Sequence, residues 1–372
     1  MHLCFLTTGN IRHIATMKRA LGMANHMADM GWRVSIVSLD CAENKAQIGR
    51  SCDERIDIRY FSASGPLLEV IRKSRIVGDL APDVLFLCSY SFRNRVWRWS
   101  MPRTMRIVVE HSELFSSIQG VSAFKRRMAG HFERRSLHVS HDIVCASRFL
   151  TDHFSDRTTR LTSPSPRIHY LPYAYPDRLA SEVPVVLDRL RLEYGGRVNI
   201  VYMGSLIRDY GLFVMLEAFR LLKGSGKPLL LHLLGEGPDE PAARQFVAEK
   251  GLSDMVHFAG YVPEPHLSSW FHLADAFLAP LFDTIQDHAR CPSKTYMYLA
   301  FGKPVITCPI GESSVLFDDP RLFFRPGDAC DLAQRISDIS DDPSCSLPSA
   351  SRHSWSERAR SLTSMLLGTH VA

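Results

Sequence analysis

Lys294 stands in the stretch RCPSKTYMYLAFGKPVI, residues 290–306. Proline is favoured at the first helical position, so the stretch reads as a helix begun by Pro292, with Cys291 as its N-cap. Gly302 fits the position just past its end, and Pro304 prevents continuation. Lys294 then lies in the first turn, where a cation opposes the positive end of the helix dipole at a cost of roughly a few tenths of a kcal/mol. A phosphate removes the conflict, because free amides, dipole and ammonium would hold it together. The other reading is an exposed lysine tolerated at a helix start. Turns follow three strand-like runs: Gly9-Asn10 after LCFLTT, LIRDYG with Arg208 after IVYMGS, and Gly235-Glu236-Gly237-Pro238 after LLLHLLG. Strand–turn–helix junctions with one basic helix start are how a parallel sheet receives a diphosphate. Each turn alone is only a turn.

The elements that must position these residues are short apolar runs alternating with helical patterns. In the first half these are residues 3–8, 33–39, 58–61, 83–89, 106–111 and 142–147, and the half ends on IHYLPYAYP, 168–176. Their near-continuous apolarity is that of strands buried on both faces, as in a parallel sheet covered by helices. Residues 173–197 are rich in Pro, Arg and Glu. The pattern then restarts at 198–205 and continues at 229–235, 256–261, 275–281 and 304–308, with a final amphipathic helix over 354–368. Two α/β halves with a hinge between them follow, and ligands of open α/β sheets bind beyond the carboxyl ends of the strands.

The 372 residues suit two domains. No apolar run reaches the roughly 18 residues of a membrane span, and the N-terminus reads as a first strand rather than a signal peptide. Nine scattered cysteines, none in a Cys-x-x-Cys pair, suggest reduced thiols in a cytosolic protein and no zinc site. The net charge of +5 is uneven: residues 88–135 hold ten Lys/Arg against three acids, a net +7 that leaves −2 for the remainder. Within it, Arg93, Arg95, Arg98, Arg103 and Arg106 mix with Phe92, Trp97 and Trp99, and a basic helix adds Phe124, Met128 and Phe132. Cations with aromatics suit an anionic bilayer surface. The alternatives are a solvated face over core-facing aromatics, and single-stranded nucleic acid, for which no accompanying motif is present.

Taken in order, IVYMGSL…YGLFVMLEAFRLL, LLLHLLGEGP, VHFAGYVP…LSSWFHLADAFLAPL and CPSKTYMYLAFGKPVIT resemble the C-terminal domain of family 4 retaining glycosyltransferases, the glycosyl transferases group 1 of GT-B fold. The likeness covers about residues 198–310 and extends more weakly to 3–39, VVEH at 108–111 and HDIVCASRFL at 141–150. It implies two Rossmann-like parallel-sheet domains facing a central cleft. Residues 1–172 would form the acceptor side, 173–197 the hinge region, 198–350 the nucleotide-sugar domain, and 351–372 a helix returning to the N-terminal domain. It implies a nucleotide sugar as co-substrate, with no resident cofactor, and a glycan or lipid-linked saccharide as acceptor. The protein would be cytoplasmic, with peripheral contact to the inner face of the cell membrane through residues 91–135. The base would sit beside Tyr261 and Val262, and the turn Gly235–Pro238, with Gly237 in it, near the nucleotide. Lys294 would approach the diphosphate, which Gly9 and Asn10 would also face. His111 would lie near the donor sugar. A histidine ending a strand can equally cap the sheet; if its neighbour Glu110 points into the core, Glu113 becomes the catalytic carboxylate beside it.

The departures from the family pattern matter as much. Two glutamates seven residues apart, one for the sugar and one for the ribose, are Ala289 and Met297 here. A methionine accepts hydrogen bonds only weakly. A basic pair after the first strand of the second half is Ser205 and Tyr210 here, with Arg208 or Arg290 as substitutes by charge. No Asp-x-Asp occurs in the chain, which favours a metal-free mechanism resting on electrostatic stabilisation of the leaving diphosphate. The leading expectation is a retaining hexosyltransferase of cell-surface polysaccharide synthesis. The rivals are a sugar-nucleotide epimerase of the same fold, a non-catalytic binding protein and a nucleic-acid-binding module.

Overall fold

Runs of Leu, Ile, Val and Phe too short to be helices and apolar on both faces can bury themselves only inside a parallel sheet. The computed structural model describes residues 1–11, 17–97, 101–159 and 165–369 and contains two such sheets. Strands β1 (His2–Leu6), β2 (Arg33–Leu39), β3 (Asp57–Phe61), β4 (Val84–Leu87), β5 (Arg106–His111), β6 (Asp142–Cys145) and β7 (Arg167–Tyr170) pair in the order β3-β2-β1-β4-β5-β6-β7. Strands β8 (Val198–Met203), β9 (Leu229–Leu234), β10 (Val256–Gly260), β11 (Ala276–Ala279) and β12 (Val305–Thr307) pair in the order β10-β9-β8-β11-β12. Every pairing is parallel. All residues of β1, β4, β6, β9, β11 and β12 are buried. These are two α/β units, one around each sheet. The first comprises Met1–Ala174, Ala289–Cys291 and Ser354–Ala372, and the second Tyr175–His288 and Pro292–His353. Residues 175–197 thus group with the second unit and include the helix Leu187–Tyr194.

Each of the twelve apolar runs becomes a strand, but several stop early. β8 ends at Met203 and β9 at Leu234, although the runs continue to Ser205 and Gly235. Gly204 and Gly235 take φ of +153° and +144°, values side chains rarely adopt, and turn the chain out of the sheet. Arg98 and Trp99 of the basic segment lie outside the described residues. Among the described residues, no helix is long and apolar enough to cross a membrane.

The last helix, Trp355–Leu367, packs on the first helix, Lys18–Asp29. A Cβ on Gly22 would stand 2.4 Å from the Trp355 ring, so a glycine is what lets the indole lie there. Buried Arg358 donates to the Pro172 carbonyl at 3.2 Å. Arg106 donates to the carbonyls of Met365 and Leu366 at the helix end, and to Asp142 at 2.6 Å. Asp142, fully buried, also receives Arg167 and His169. These partners outweigh its burial and hold the carboxyl well below its usual range.

Two buried histidines make stability acid-sensitive. His232 donates from Nε2 to Asn199 Oδ1 at 2.9 Å, which leaves its Nδ1 to accept from His257 at 3.2 Å. Burial, with His257 beside it, pushes His232 down to about 3. His111 is likewise pushed down to about 3 by burial and by His153. Both folded values lie below the ordinary 6.5. Their contribution is therefore whole above pH 6.5 and is lost as pH falls toward 3. Each group removes up to about 1.4 kcal/mol per pH unit in that window. Urea unfolding between about pH 7.5 and about pH 5 should show falling stability, with a slope reduced by up to one proton in His232→Gln. An unchanged slope in that variant would show that His232 is not held neutral.

Candidate active site

The second unit gathers its candidate residues at the carboxyl ends of β8, β9 and β10. The Met203 N–H donates to the Tyr298 hydroxyl at 2.7 Å, which fixes the end of β8. Gly204 then donates to Leu234 O at 2.9 Å, Leu206 to Glu236 O at 3.0 Å, and Gly235 to Gly260 O at 2.8 Å. The turns after β8 and β9 lie backbone against backbone. A Cβ on Gly235 would fall 2.0 Å from the Gly204 carbonyl oxygen, and one on Gly237 2.3 Å from that of Leu206. No other residue type fits either place. The Lys294 ammonium lies 4.0 Å from the centroid of the Tyr202 ring, and 3.3 Å from where a Gly204 Cβ would be. Tyr202 itself is held by donating to Ser205 O at 3.1 Å. Lys294 thus lies over the Tyr202 ring, whose hydroxyl is hydrogen-bonded to Ser205, beside turns in which Gly204, Gly235 and Gly237 allow close backbone packing. Tyr261 and Val262 follow Gly260 at the end of β10, with Tyr261 63% exposed.

Other candidates are placed differently. The Arg208 guanidinium stacks on Phe213 at 4.2 Å, while its backbone N–H donates to Asp239 at 2.6 Å. Arg290 belongs to the first unit, with Ala289 and Cys291. The helix bearing Lys294 runs Ser293–Leu299, seven residues with Pro292 rather than Cys291 at the N-cap. The reason is a long-range contact: Cys291 is buried, and its Sγ accepts the Tyr173 N–H at 3.4 Å, so helical geometry begins one residue later. Lys294 keeps its first-turn place. Met297 is half-buried on the same helix. Thr295 is buried, and its Oγ1 has no hydrogen-bond partner among the described residues.

In the first unit, Gly9 turns the chain after β1 at φ +72°. Asn44, fully buried on the helix Ala42–Ser51, clamps this turn from both sides of Asn10. Its Nδ2 donates to Gly9 O at 3.0 Å and its Oδ1 accepts the Ile11 N–H at 2.8 Å. Glu110 points into the core and pairs with equally buried Arg19 at 2.7 Å. Burial pushes its carboxyl up against the pull of Arg19. Glu113, two residues after His111 and just past β5, is half-buried. His111 is 2% exposed, bonded through Nε2 to Ser136 Oγ at 2.9 Å, and stacked on Phe154 at 4.2 Å. Ala289 packs in an apolar cluster with Leu114, Cys145, Leu150 and Phe154, and its carbonyl accepts from Ser147. A glutamate there would place a carboxylate among apolar groups, at a cost of several kcal/mol unless it neutralised, on the order of magnitude of other buried charges.

Asn44, Ser136, Tyr202 and Tyr298 escape a reading of the sequence. The one local signal among them is Tyr202, an aromatic two residues before a strand-ending glycine. Among the described residues, no group of three or more His, Cys, Asp or Glu side chains is placed to hold a metal ion.

Residues 197–342 match the family described as "Glycosyl transferases group 1". Among curated relatives, the chain is 26% identical over 174 residues to 2-deoxystreptamine glucosyltransferase of Streptomyces kanamyceticus, covering 45% of this chain and 43% of that one. It is 25% identical to alpha-D-kanosaminyltransferase of the same organism, over 59% and 58% of the two chains. It is 30% identical to the putative colanic acid biosynthesis glycosyltransferase WcaL of Escherichia coli K12, over 38% and 36%. The matches span about half the length of these relatives or less. Among solved structures, Anabaena HepE in complex with UDP and glucose superposes with a TM-score of 0.70 at 13% identity, over 98% of this chain and 95% of that one. The pneumococcal O-GlcNAc transferase GtfA in complex with UDP and GlcNAc gives 0.70 at 8% identity, over 99% of each chain. Two parallel-sheet α/β units and the whole-chain likeness to these structures give the chain the GT-B fold, and its residues 197–342 carry the likeness to glycosyl transferases group 1.

Proposed function

We propose that this protein is a retaining glycosyltransferase that moves a sugar from a nucleotide-sugar donor to a glycan or lipid-linked saccharide in cell-surface polysaccharide synthesis. The observation that carries the reading is the Lys294 ammonium beside Gly204, next to turns with glycine at 204, 235 and 237. Such a place takes a diphosphate: backbone can approach closely, and the ammonium neutralises charge that grows as the sugar leaves. In the proposed reaction the acceptor oxygen bonds to the anomeric carbon as the bond from that carbon to the diphosphate breaks. A diphosphate oxygen takes the acceptor's proton, and the configuration is kept. The nucleotide sugar is a co-substrate, no resident cofactor takes part, and Lys294 and the backbone amides do the work otherwise given to a metal ion. Tyr261 and Val262 would flank the base, Met297 would lie toward the ribose, and His111 and Glu113 would serve the sugar. His111, neutral at ordinary pH, would act there through hydrogen bonding and not as an acid.

A second reading, a nucleotide-sugar-binding protein without transfer, is favoured by one observation: the apolar burial of Ala289 where the family pattern has a sugar-binding glutamate. The two readings divide on turnover.

The helix Ala123–Val139 supports peripheral attachment at the inner face of the cell membrane. Phe124 is 73% exposed, and Lys125, Arg126, Arg127, Arg134 and Arg135 are all exposed. The helix's one acid, Glu133, is buried and taken up by Ser116, whose N–H and Oγ–H donate to it at 2.9 and 2.6 Å. A basic face with an exposed aromatic fits an anionic lipid surface, where each cation is worth about 1 kcal/mol.

Two measurements test these readings. In a thermal-shift and titration panel of nucleotide sugars, one class should raise the melting temperature, and Lys294→Ala should weaken binding of the matching nucleoside diphosphate about tenfold or more. That is the loss of one charge-assisted contact of roughly 1.5–3 kcal/mol. Unchanged affinity removes Lys294 from the phosphate site, and binding without transfer or hydrolysis selects the second reading. Separately, Phe124→Ser with Arg126→Glu and Arg127→Glu should abolish sedimentation with phosphatidylglycerol vesicles and leave nucleotide binding intact. A parent protein that does not bind such vesicles ends the membrane reading.

A further inference from the structure

The buried face of the helix Ala123–Val139 carries a device distinct from its basic outer face. Ser136 is 0% exposed, and its hydroxyl donates to the Glu133 carbonyl at 2.7 Å. A hydroxyl has one proton. With that proton committed to Glu133 O, the 2.9 Å contact between Ser136 Oγ and His111 Nε2 needs its hydrogen from the ring. The residues around this contact are fixed. The Glu133 carboxylate is anchored on Ser116, and the Ser136 carbonyl accepts from the Ser140 Oγ–H at 2.7 Å. Phe154, fully buried, stacks on the imidazole at an interplanar angle of 24° and holds its plane. His111 Nδ1 has no protein hydrogen-bond partner among the described residues.

We propose that Ser136 is a positioning residue that locks His111 in the tautomer protonated at Nε2, so that Nδ1 offers a lone pair to a substrate hydroxyl. The proposal rests on the reading that His111 serves the sugar, and it gives that place a polarity. Nδ1 accepts from a donor group such as a sugar hydroxyl and repels a phosphate or carboxylate oxygen. The imidazole stays neutral because it is buried, with the charge of His153 on the helix Arg148–Thr158 acting in the same direction, so the tautomer persists across ordinary pH. The serine therefore acts through the histidine.

Long-range proton–nitrogen NMR on the full chain tests this, with the His111 ring assigned by its loss in His111→Gln. The expected spectrum of the parent shows Nε2 protonated and Nδ1 bare from about pH 5 to about pH 8. Ser136→Ala should move both nitrogens toward a tautomer average, and Ser136→Thr should restore them. With UDP-glucose as probe, kcat for its turnover should fall about five- to tenfold in Ser136→Ala, the value of one neutral hydrogen bond. UDP affinity should be unchanged, and Ser136→Thr should recover the rate. A parent ring protonated at Nδ1, or His111 signals unmoved in Ser136→Ala, overturns the proposal without needing the variant to be active. If the tautomer is as stated but His111→Gln turns over UDP-glucose like the parent, the placing of His111 at the sugar is overturned instead, while the control of the ring by Ser136 stands.

Discussion

A Cβ at residue 235 would lie 2.0 Å from the carbonyl oxygen of residue 204. That one steric limit organises the second unit's carboxyl-end surface. It requires glycine after β9 and lets the turns after β8 and β9 press together, and the missing Cβ of Gly204 in turn leaves room for Lys294 over Tyr202. The remaining fixtures serve the same end. Tyr298 holds the last amide of β8, and it is itself locked by stacking on Phe277 at 4.2 Å.

The first unit uses buried polar groups in a different manner. Glu110 and Arg19 neutralise one another inside the core, which removes Glu110 from chemistry. The next residue, His111, is kept neutral and held by a serine and a phenylalanine. Adjacent residues at the end of one strand thus face opposite fates because side chains alternate across a sheet. The first glycine turn depends on Asn44 in the same way that the β8 turn depends on Tyr298: a buried side chain satisfies backbone groups that would otherwise be stranded.

The strands were legible because strands buried on both faces must be apolar throughout, and that signature is local. The place of Lys294 in a first helical turn, and the glycine turns, were legible for the same reason. What could not be read depends on partners far along the chain. Asn44 meets Gly9 across 35 positions, Ser136 meets His111 across 25, and Tyr298 meets Met203 across 95. The N-cap assignment was displaced by one residue through a contact spanning 118 positions, between Cys291 and Tyr173. Arg208 shows a different limit: its charge is local in the sequence, but the aromatic face of Phe213 on which its guanidinium lies is seen only in the fold. Ala289 is intelligible only in three dimensions, where its surroundings are apolar.

The central claim is that a diphosphate belongs between Lys294 and the glycine turns. A crystal structure of the chain with a bound nucleoside diphosphate tests it most directly. The account predicts a phosphate oxygen at hydrogen-bond distance, about 2.7–2.9 Å, from the Lys294 ammonium, with others against the backbone of residues 204–206 or 235–237. A diphosphate bound elsewhere, with Lys294 still on Tyr202 and these turns untouched, would contradict it.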